Sequence, residues 1–204
     1  MIFHKHPEFS ETHAIFSPSQ PYWINYDKQK TIDYFDRSRA QEKGTRLHAM
    51  VAEMIRCYLL YGTPLPNTLS KKDTIGLYFH DACKYRMEPE VTVVYSDICY
   101  GHIDALSFDE KKRILRIHDL KTGINPAKFL QLEVYAAQFF AEYANDIQYG
   151  LQIPLESCAV ELRIYQFDQC QIETPPVEFI LNDITNSIRE KHEWLAEELG
   201  RRGE

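Results

Sequence analysis

Hydrophobic residues recur with two different periods along the chain, and the change of period separates helices from strands. From Gly44 to Tyr61 they recur at three- and four-residue intervals, which predicts an amphipathic helix with His48 on its inward side. A helical segment from residue 29, broken near Gly44, precedes it. Further helices are predicted over 71–86, 127–143 and 177–199, followed by a loose tail from Gly200 to Glu204.

Other stretches are rich in β-branched residues or follow the period of two that a strand requires. They are 90–95, 101–108, 113–121 and 157–167, with 169–173 as a short partner strand for the last. The element order is helices, a three-strand meander, a helix, one or two strands and a last helix. This order predicts one α/β (α+β) domain over residues 1–204, with a mixed sheet of about four to five strands flanked by helices.

Two carboxylates and a lysine come together on the hairpin 101–123. Period two puts Asp119 and Lys121 on one face of a strand and points Leu120 the other way, while Asp104 approaches from the neighbouring strand. Charged side chains are rarely buried without a partner or a task. The natural task of two such carboxylates is to hold a hard divalent cation, most often Mg²⁺, and the alternative is an ordinary ion pair.

Composition sets bounds on the function. The chain has 204 residues, 44% of them hydrophobic, and a net charge of −7, which does not suggest a strongly basic nucleic-acid binder. A nucleic-acid enzyme is still compatible with that charge, because local basic patches and a bound metal set the field at a site. The five cysteines form no CxxC pair, and no signal peptide or membrane span is visible, so we expect reduced thiols and a cytoplasmic protein.

Four short motifs follow one another along the chain. They are Gly44-x-x-x-His48 on the first long helix, Gly101-x-x-Asp104 and Asp119-x-Lys121-Thr122-Gly123 on two strands, and Gln131-x-x-x-Tyr135 on the next helix. Together they resemble the PD-(D/E)XK nuclease superfamily, most of all its RecB-type branch, which includes phage and CRISPR-associated exonucleases. The similarity spans roughly residues 40–145. It implies a restriction-endonuclease-like core.

The resemblance also implies roles for these residues. Asp104, Asp119 and the main-chain carbonyl of Leu120 would bind Mg²⁺ or Mn²⁺, which lowers the pKa of a bound water. Lys121 would orient that water and stabilise developing negative charge. His48 would be a further ligand, whereas without the motif a single histidine on an apolar helix face is more often a core residue. The cysteines lack the clustering found in the iron–sulfur members, so no iron–sulfur cluster is expected.

Three further side chains have two interpretations each. Glu90 opens a strand, where an acidic residue joins the metal shell in many relatives, but it can equally be an exposed strand start. Gln131 and Tyr135 share a helix face and would touch the scissile phosphate or the lysine. Their alternative is a helix that packs on the sheet with a buried tyrosine.

The first 28 residues and the basic segments are the least informative parts of the chain. The irregular N-terminal arm, residues 1–28, carries Tyr22 and Trp23, which either anchor it on the domain or stack on bases. Basic residues in two segments either contact phosphates or form solvated charged faces. They are Arg37, Arg39, Lys43, Arg46, Lys111, Lys112, Arg113 and Arg116.

The sequence therefore predicts a metal-dependent nuclease that hydrolyses phosphodiester bonds of DNA, an exonuclease in phage recombination, replication or repair. Its expected partners are single- or double-stranded DNA and a recombination or replication protein. A non-catalytic binding module on a nuclease fold is the alternative, and a metal-dependent hydrolase of another substrate is a third. The complete set of two acids and a lysine argues against the binding module, because a pure binder has no need of it.

Overall fold

The computed structural model describes residues 3–7, 14, 16–19, 21–38, 46–62, 70, 72–122, 126–144 and 154–202. The strands in these ranges are β1 (Glu88–Ser96), β2 (Cys99–Asp109), β3 (Ile114–Leu120), β4 (Ala159–Gln166) and β5 (Gln169–Glu173). The α-helices are α1 (Lys28–Ser38), α2 (Arg46–Tyr61), α3 (Thr74–Lys84), α4 (Leu130–Ala144) and α5 (Thr185–Arg202). Short 3₁₀ turns at Pro21–Asn25 and Leu155–Ser157 and a π-helical turn at Phe179–Ile184 complete the described elements.

The five strands form one mixed sheet in the order β1-β2-β3-β4-β5. Neighbouring strands are antiparallel except β3 and β4, which are parallel. A parallel pair needs a crossover connection, and α4 supplies it. The predicted α+β class, with a mixed sheet of four to five strands flanked by helices, is confirmed.

Each face of the sheet carries its own apolar core. The larger core joins the sheet to α4, α5 and the N-terminal arm, while the smaller one joins it to α2 and α3. Leu115 and Ile117 of β3 belong to the larger core and Leu120 to the smaller, as the period of two requires. Since Asp119 has the parity of Ile117, it faces α4, whereas His118 faces α3.

The arm is anchored by Trp23, which is fully buried and donates a hydrogen bond from Nε1 to the Ser17 carbonyl at 3.0 Å. Tyr22 is 58% exposed, so only the tryptophan performs the predicted anchoring. The predicted loose tail is wrong for residues 200–202, which belong to α5, and residues 203–204 lie outside the described ranges. Among the described helices, none combines the length and the apolar character that a membrane span requires.

Two helices begin three residues later than their hydrophobic pattern predicts. The start of α3 is set by Asp73, whose carboxylate accepts the Gly76 N–H at 2.7 Å and so caps the helix. Helix α4 begins at Leu130, not at residue 127. In the preceding segment the Ala127 N–H donates instead to the Gln166 side chain at 3.0 Å, a contact between distant parts of the chain.

Candidate metal centre

The site forms where β2 and β3 stop pairing with each other. Their register runs from Asp109 opposite Ile114 to Ala105 opposite His118, and the next facing residues would be Asp104 and Asp119. At this point the Leu120 N–H donates to Asp104 Oδ2 at 2.7 Å. The Asp104 carboxylate therefore lies between the ends of the two strands. Because the N–H and C=O of a strand residue point to the same side, the Leu120 carbonyl lies on the Asp104 side of β3.

A histidine and a glutamate approach Asp104 from two other elements. His48 of α2 lies with Nδ1 3.0 Å from Asp104 Oδ1, and this hydrogen bond raises the pKa of the imidazole. Glu90 of β1 joins the pair, because one donor atom from each of the three residues lies within 4.8 Å of the other two. Elements distant in sequence thus bring together one imidazole and two carboxylates.

Glu90 is held in a strained backbone conformation. Its φ is 54°, in the left-handed region that a residue with a Cβ enters only at a cost. Its neighbours Pro89 and Val91 pair with Ala105 and Ile103, so Glu90 stands opposite Asp104. It is partly buried, and burial together with the Asp104 charge raises its pKa to about 6. The sequence left two positions open for Glu90, beside the metal ligands or at an exposed strand start. In the structure Glu90 lies beside Asp104 and is not exposed.

Asp119 is 3% exposed and carries an unsatisfied oxygen. Its Oδ2 lies 3.0 Å from Lys121 Nζ, but among the described residues it has no partner with hydrogen-bond geometry. Burial raises the pKa of Asp119, Lys121 counteracts this, and the Asp104 charge raises it further. The Lys121 ammonium compensates the charge of this buried carboxylate without hydrogen-bonding to Oδ2, so Oδ2 can still accept a further donor or a cation.

The predicted lysine is fixed by residues of α4. Lys121 Nζ donates to Gln131 Oε1 at 2.8 Å, and Gln131 Nε2 lies 3.5 Å from the Tyr135 hydroxyl. That hydroxyl donates to the main-chain carbonyl of His102. Gln131 and Tyr135 are 6% and 2% exposed, so they contact the lysine and the sheet from inside the protein, while the Lys121 side chain retains 27% exposure.

Close packing around β2 requires the glycine of the Gly101-x-x-Asp104 motif. A Cβ at Gly101 would stand 2.6 Å from Pro18 Cδ and 2.8 Å from Tyr135 Cε1, closer than non-bonded carbons approach. The arm and the Tyr135 ring thus press against β2 three residues before Asp104. The glycine lets Tyr135 reach the His102 carbonyl, which links the motif on β2 to the motif on α4.

Two neighbours of the acids were not predicted. Tyr78 of α3 is 2% exposed, and burial, reinforced by the charges of Asp104, Glu90 and Asp119, raises its pKa well above the ordinary value. Its apolar helical stripe gave no signal for this placement. Arg56 of α2 donates to the Pro89 carbonyl at 3.4 Å, and its charge partly opposes the rise in the pKa of Glu90. Its position eight residues after His48, on the same helix face, was a usable signal.

The predicted phosphate contacts are only partly described. Arg39 and Lys43, the side chains of Arg37 and Arg46, and the motif glycines Gly44 and Gly123 lie outside the described residues. The exposed turn residues Lys111, Lys112 and Arg113 follow Asp109, which is about 17 Å along β2 from Asp104. Arg116 is buried, pairs with Glu161 at 3.3 Å and lies over the Tyr85 ring. It is not part of a solvated basic face.

The donor set suits a divalent cation. Three carboxylates, from Glu90, Asp104 and Asp119, are compensated by one ammonium and one imidazole, which leaves an excess of negative charge in a mostly buried place. Oxygen donors supplemented by a single imidazole are a common ligand set for Mg²⁺ and Mn²⁺. The unsatisfied Oδ2 of Asp119 is a ready acceptor for such an ion.

No protein family model and no curated protein matches this chain.

Proposed function

We propose that this protein is a metal-dependent nuclease that hydrolyses phosphodiester bonds of DNA, an exonuclease of phage recombination, replication or repair. The observation that carries the proposal is the convergence of one imidazole and two carboxylates, next to which a third, buried carboxylate forms an ion pair with Lys121. The sequence resemblance supports the same conclusion, because the described residues of all four motifs adjoin this one place. The expected protein partner belongs to recombination or replication.

The ion would be held by His48, Glu90, Asp104, Asp119 and the Leu120 carbonyl. When bound, Mg²⁺ or Mn²⁺ polarises a phosphate oxygen and lowers the pKa of a coordinated water. The imidazole among the ligands favours Mn²⁺ more than an all-oxygen set would. Asp104 has a second task in the protein, since its Oδ2 accepts the Leu120 N–H and fixes the separation of the two strands.

Lys121 is the residue of this set suited to meet the phosphate. Its ammonium has three N–H donors, one of which donates to Gln131 Oε1 at 2.8 Å, while Asp119 Oδ2 lies 3.0 Å away as an ion-pair partner without hydrogen-bond geometry. The remaining N–H donors are available to a water or a phosphate oxygen, on a side chain that is partly exposed. Gln131 and Tyr135 act as positioning residues, because they keep the ammonium in place before substrate arrives and so strengthen its effect on developing charge.

A digestion assay tests the proposal. DNA labelled at the 5′ or 3′ end, single- or double-stranded, and matched RNA are incubated with the protein and Mg²⁺ or Mn²⁺. We expect metal-dependent degradation of DNA that falls roughly 10²–10³-fold or more in Asp119→Asn. Asp97→Asn, the same change at an exposed turn residue, is the matched control and retains activity. Intact DNA under every condition contradicts the proposal, and DNA binding without cleavage favours the non-catalytic module.

Metal binding is tested separately by thermal unfolding. Mn²⁺ at 100 times its dissociation constant stabilises a one-site protein by about 2.7 kcal/mol. We expect such a shift in the wild type and in Lys121→Met, which keeps all the ligands, and its loss in a variant that combines Asp104→Asn and Asp119→Asn. Equal shifts in the wild type and that double variant would place the ion elsewhere.

A further inference from the structure

A second group of metal-ligating side chains lies where the N-terminal arm meets the end of α4. The arm–α4 cluster consists of His4, His6 and Glu142. His4 Nδ1 and His6 Nε2 lie 2.8 and 2.5 Å from the same oxygen of Glu142, Oε1, and the three ligand atoms fall within 4.8 Å of one another. Glu142 is seven residues beyond Tyr135 on α4, roughly 10 Å along the helix. The arm–α4 cluster and the candidate metal centre have no residue in common.

The surrounding protein fixes two of these three side chains. The other oxygen of Glu142, Oε2, accepts the Val94 N–H of β1 at 2.8 Å, which turns Oε1 towards the two imidazoles. The His4 ring stacks on Tyr143 with ring centroids 4.4 Å apart, and its main-chain N–H donates to the Tyr143 hydroxyl. The side chains of His4, His6 and Glu142 are 14%, 17% and 8% exposed.

Two imidazoles and one carboxylate are a different donor set from that of the acids on the sheet. They are the protein ligands of a typical three-residue zinc site, in which a water takes the fourth position. At metal–ligand distances of 2.0–2.1 Å, tetrahedral donors stand about 3.3 Å apart. The nitrogens now lie 2.8 and 2.5 Å from Oε1, so each would move away by less than about 1 Å to admit an ion.

We propose that His4, His6 and Glu142 bind a Zn²⁺-type transition-metal ion that fastens the N-terminal arm to α4 and β1. Phe3 supports the same attachment, because its ring packs edge-on against Phe139 and Tyr143 at 6.5 Å. The site joins segments about 138 residues apart in sequence. The ion would thus hold closed a large loop of chain, and it would do so without the Mg²⁺ or Mn²⁺ of the nuclease proposal.

The test is a calorimetric titration with ZnCl₂ on the full chain carrying Asp104→Asn and Asp119→Asn, which removes two of the three carboxylates of the candidate metal centre. We expect one Zn²⁺ to bind and the affinity to fall at least about tenfold when His6→Ala or Glu142→Gln is added, because loss of a ligand should cost at least as much as loss of a supporting residue. His192→Ala, a histidine on α5 outside both clusters, is the matched control and should leave the affinity unchanged.

Two measurements distinguish the loss of a metal ligand from a folding defect. Without metal, the urea midpoint of His6→Ala should remain close to that of its parent, because the side chain lies in the arm and is partly exposed. With Co²⁺ in place of Zn²⁺, the intense visible absorption of a four-coordinate site should appear in the parent and be lost in His6→Ala. Zn²⁺ affinity that is unchanged in His6→Ala, or no Zn²⁺ binding to the parent at all, overturns the proposal. The second result would leave the cluster as a hydrogen-bonded contact only.

Discussion

Two polar clusters lie on opposite faces of β3. The neighbouring residues His118 and Asp119 belong to different clusters. Asp119 faces α4 and contributes to the candidate metal centre. His118 faces α3 and is fully buried, with Nδ1 3.1 Å from the Tyr165 hydroxyl. Around His118, Arg163 pairs with Asp81 at 2.6 Å and with Glu161 at 3.0 Å. Arg116 also pairs with Glu161, and both guanidinium groups lie over the Tyr85 ring.

The difference between the clusters is one of charge balance. On the α3 face two arginines meet two carboxylates, so the network is electrically complete without a ligand. On the α4 face and at the strand ends, three carboxylates meet one lysine and one histidine. Burial of an uncompensated charge is expensive, so such an excess persists where a cation is to be bound. The balanced network needs no ligand for its stability, and the unbalanced one agrees with the cation proposed above.

The largest expected effect is on catalysis, from Lys121→Met. The substitution keeps much of the side-chain length but removes the ammonium that Asp119 and Gln131 hold. We expect DNA degradation to fall roughly 10²–10³-fold, while Mn²⁺ binding measured by calorimetry persists. Lys72→Met, at an exposed position before α3, provides the matched control. Full activity of the Lys121 variant would remove this residue from the mechanism.

A smaller effect, on stability alone, is expected from Arg163→Met in the balanced cluster. It leaves Asp81 without its arginine and Glu161 with one arginine in place of two. Because these acids are partly exposed, we expect a loss of about 1–3 kcal/mol in the free energy of unfolding by urea. Activity per folded molecule should not change. A large loss of activity in the folded variant would show that the two faces are functionally coupled.

The smallest effect concerns the pH dependence of stability. Burial, reinforced by the charges of Arg163 and Arg116, lowers the pKa of His118 well below 6.5, so the imidazole stays neutral in the folded protein. As the pH falls below about 6.5 the unfolded chain takes up a proton that the folded chain does not, and the free energy of unfolding decreases. This stability is present above pH 6.5 and is lost on acidification.

The comparison is between wild type and His118→Gln in urea at pH 7 and pH 5. We expect the wild type to lose up to about 2 kcal/mol more than the variant over this interval. The difference between the two proteins isolates His118, because His48 and Glu90 titrate in both. Parallel loss of stability in both proteins would mean that His118 is protonated in the folded state.

Parts of the fold and of the candidate site follow from local sequence patterns. Period two places Asp119 and Lys121 on one face, and their ion pair at 3.0 Å agrees with that placement. The short turn after Asp109 makes β2 and β3 antiparallel neighbours, which brings Asp104 to the end of β3. The four-residue spacing of Gln131 and Tyr135 puts them on one helix face, and both are buried there.

Other parts of the site depend on the packing of distant elements. The left-handed backbone at Glu90 has no signature in its local sequence, because a non-glycine residue enters that region only where its surroundings hold it. Tyr78 has the pattern of a core residue, and it lies near the acids because α3 packs against the sheet there. The sequence likewise left open whether Gln131 contacts the phosphate or the lysine. The distance of 2.8 Å between Lys121 Nζ and Gln131 Oε1 shows the contact with the lysine.

By itself, the sequence determined the main helices and strands, the shared face of Asp119 and Lys121, and the candidate ligands of the metal centre. These features depend on periods of two and 3.6 residues and on short turns, which act over a few neighbours. Only the tertiary structure decided that His48 contacts Asp104, 56 residues away, and that His118 belongs to a balanced network. Such contacts depend on how helices pack on the sheet, and their free energy is realised only when the whole core forms.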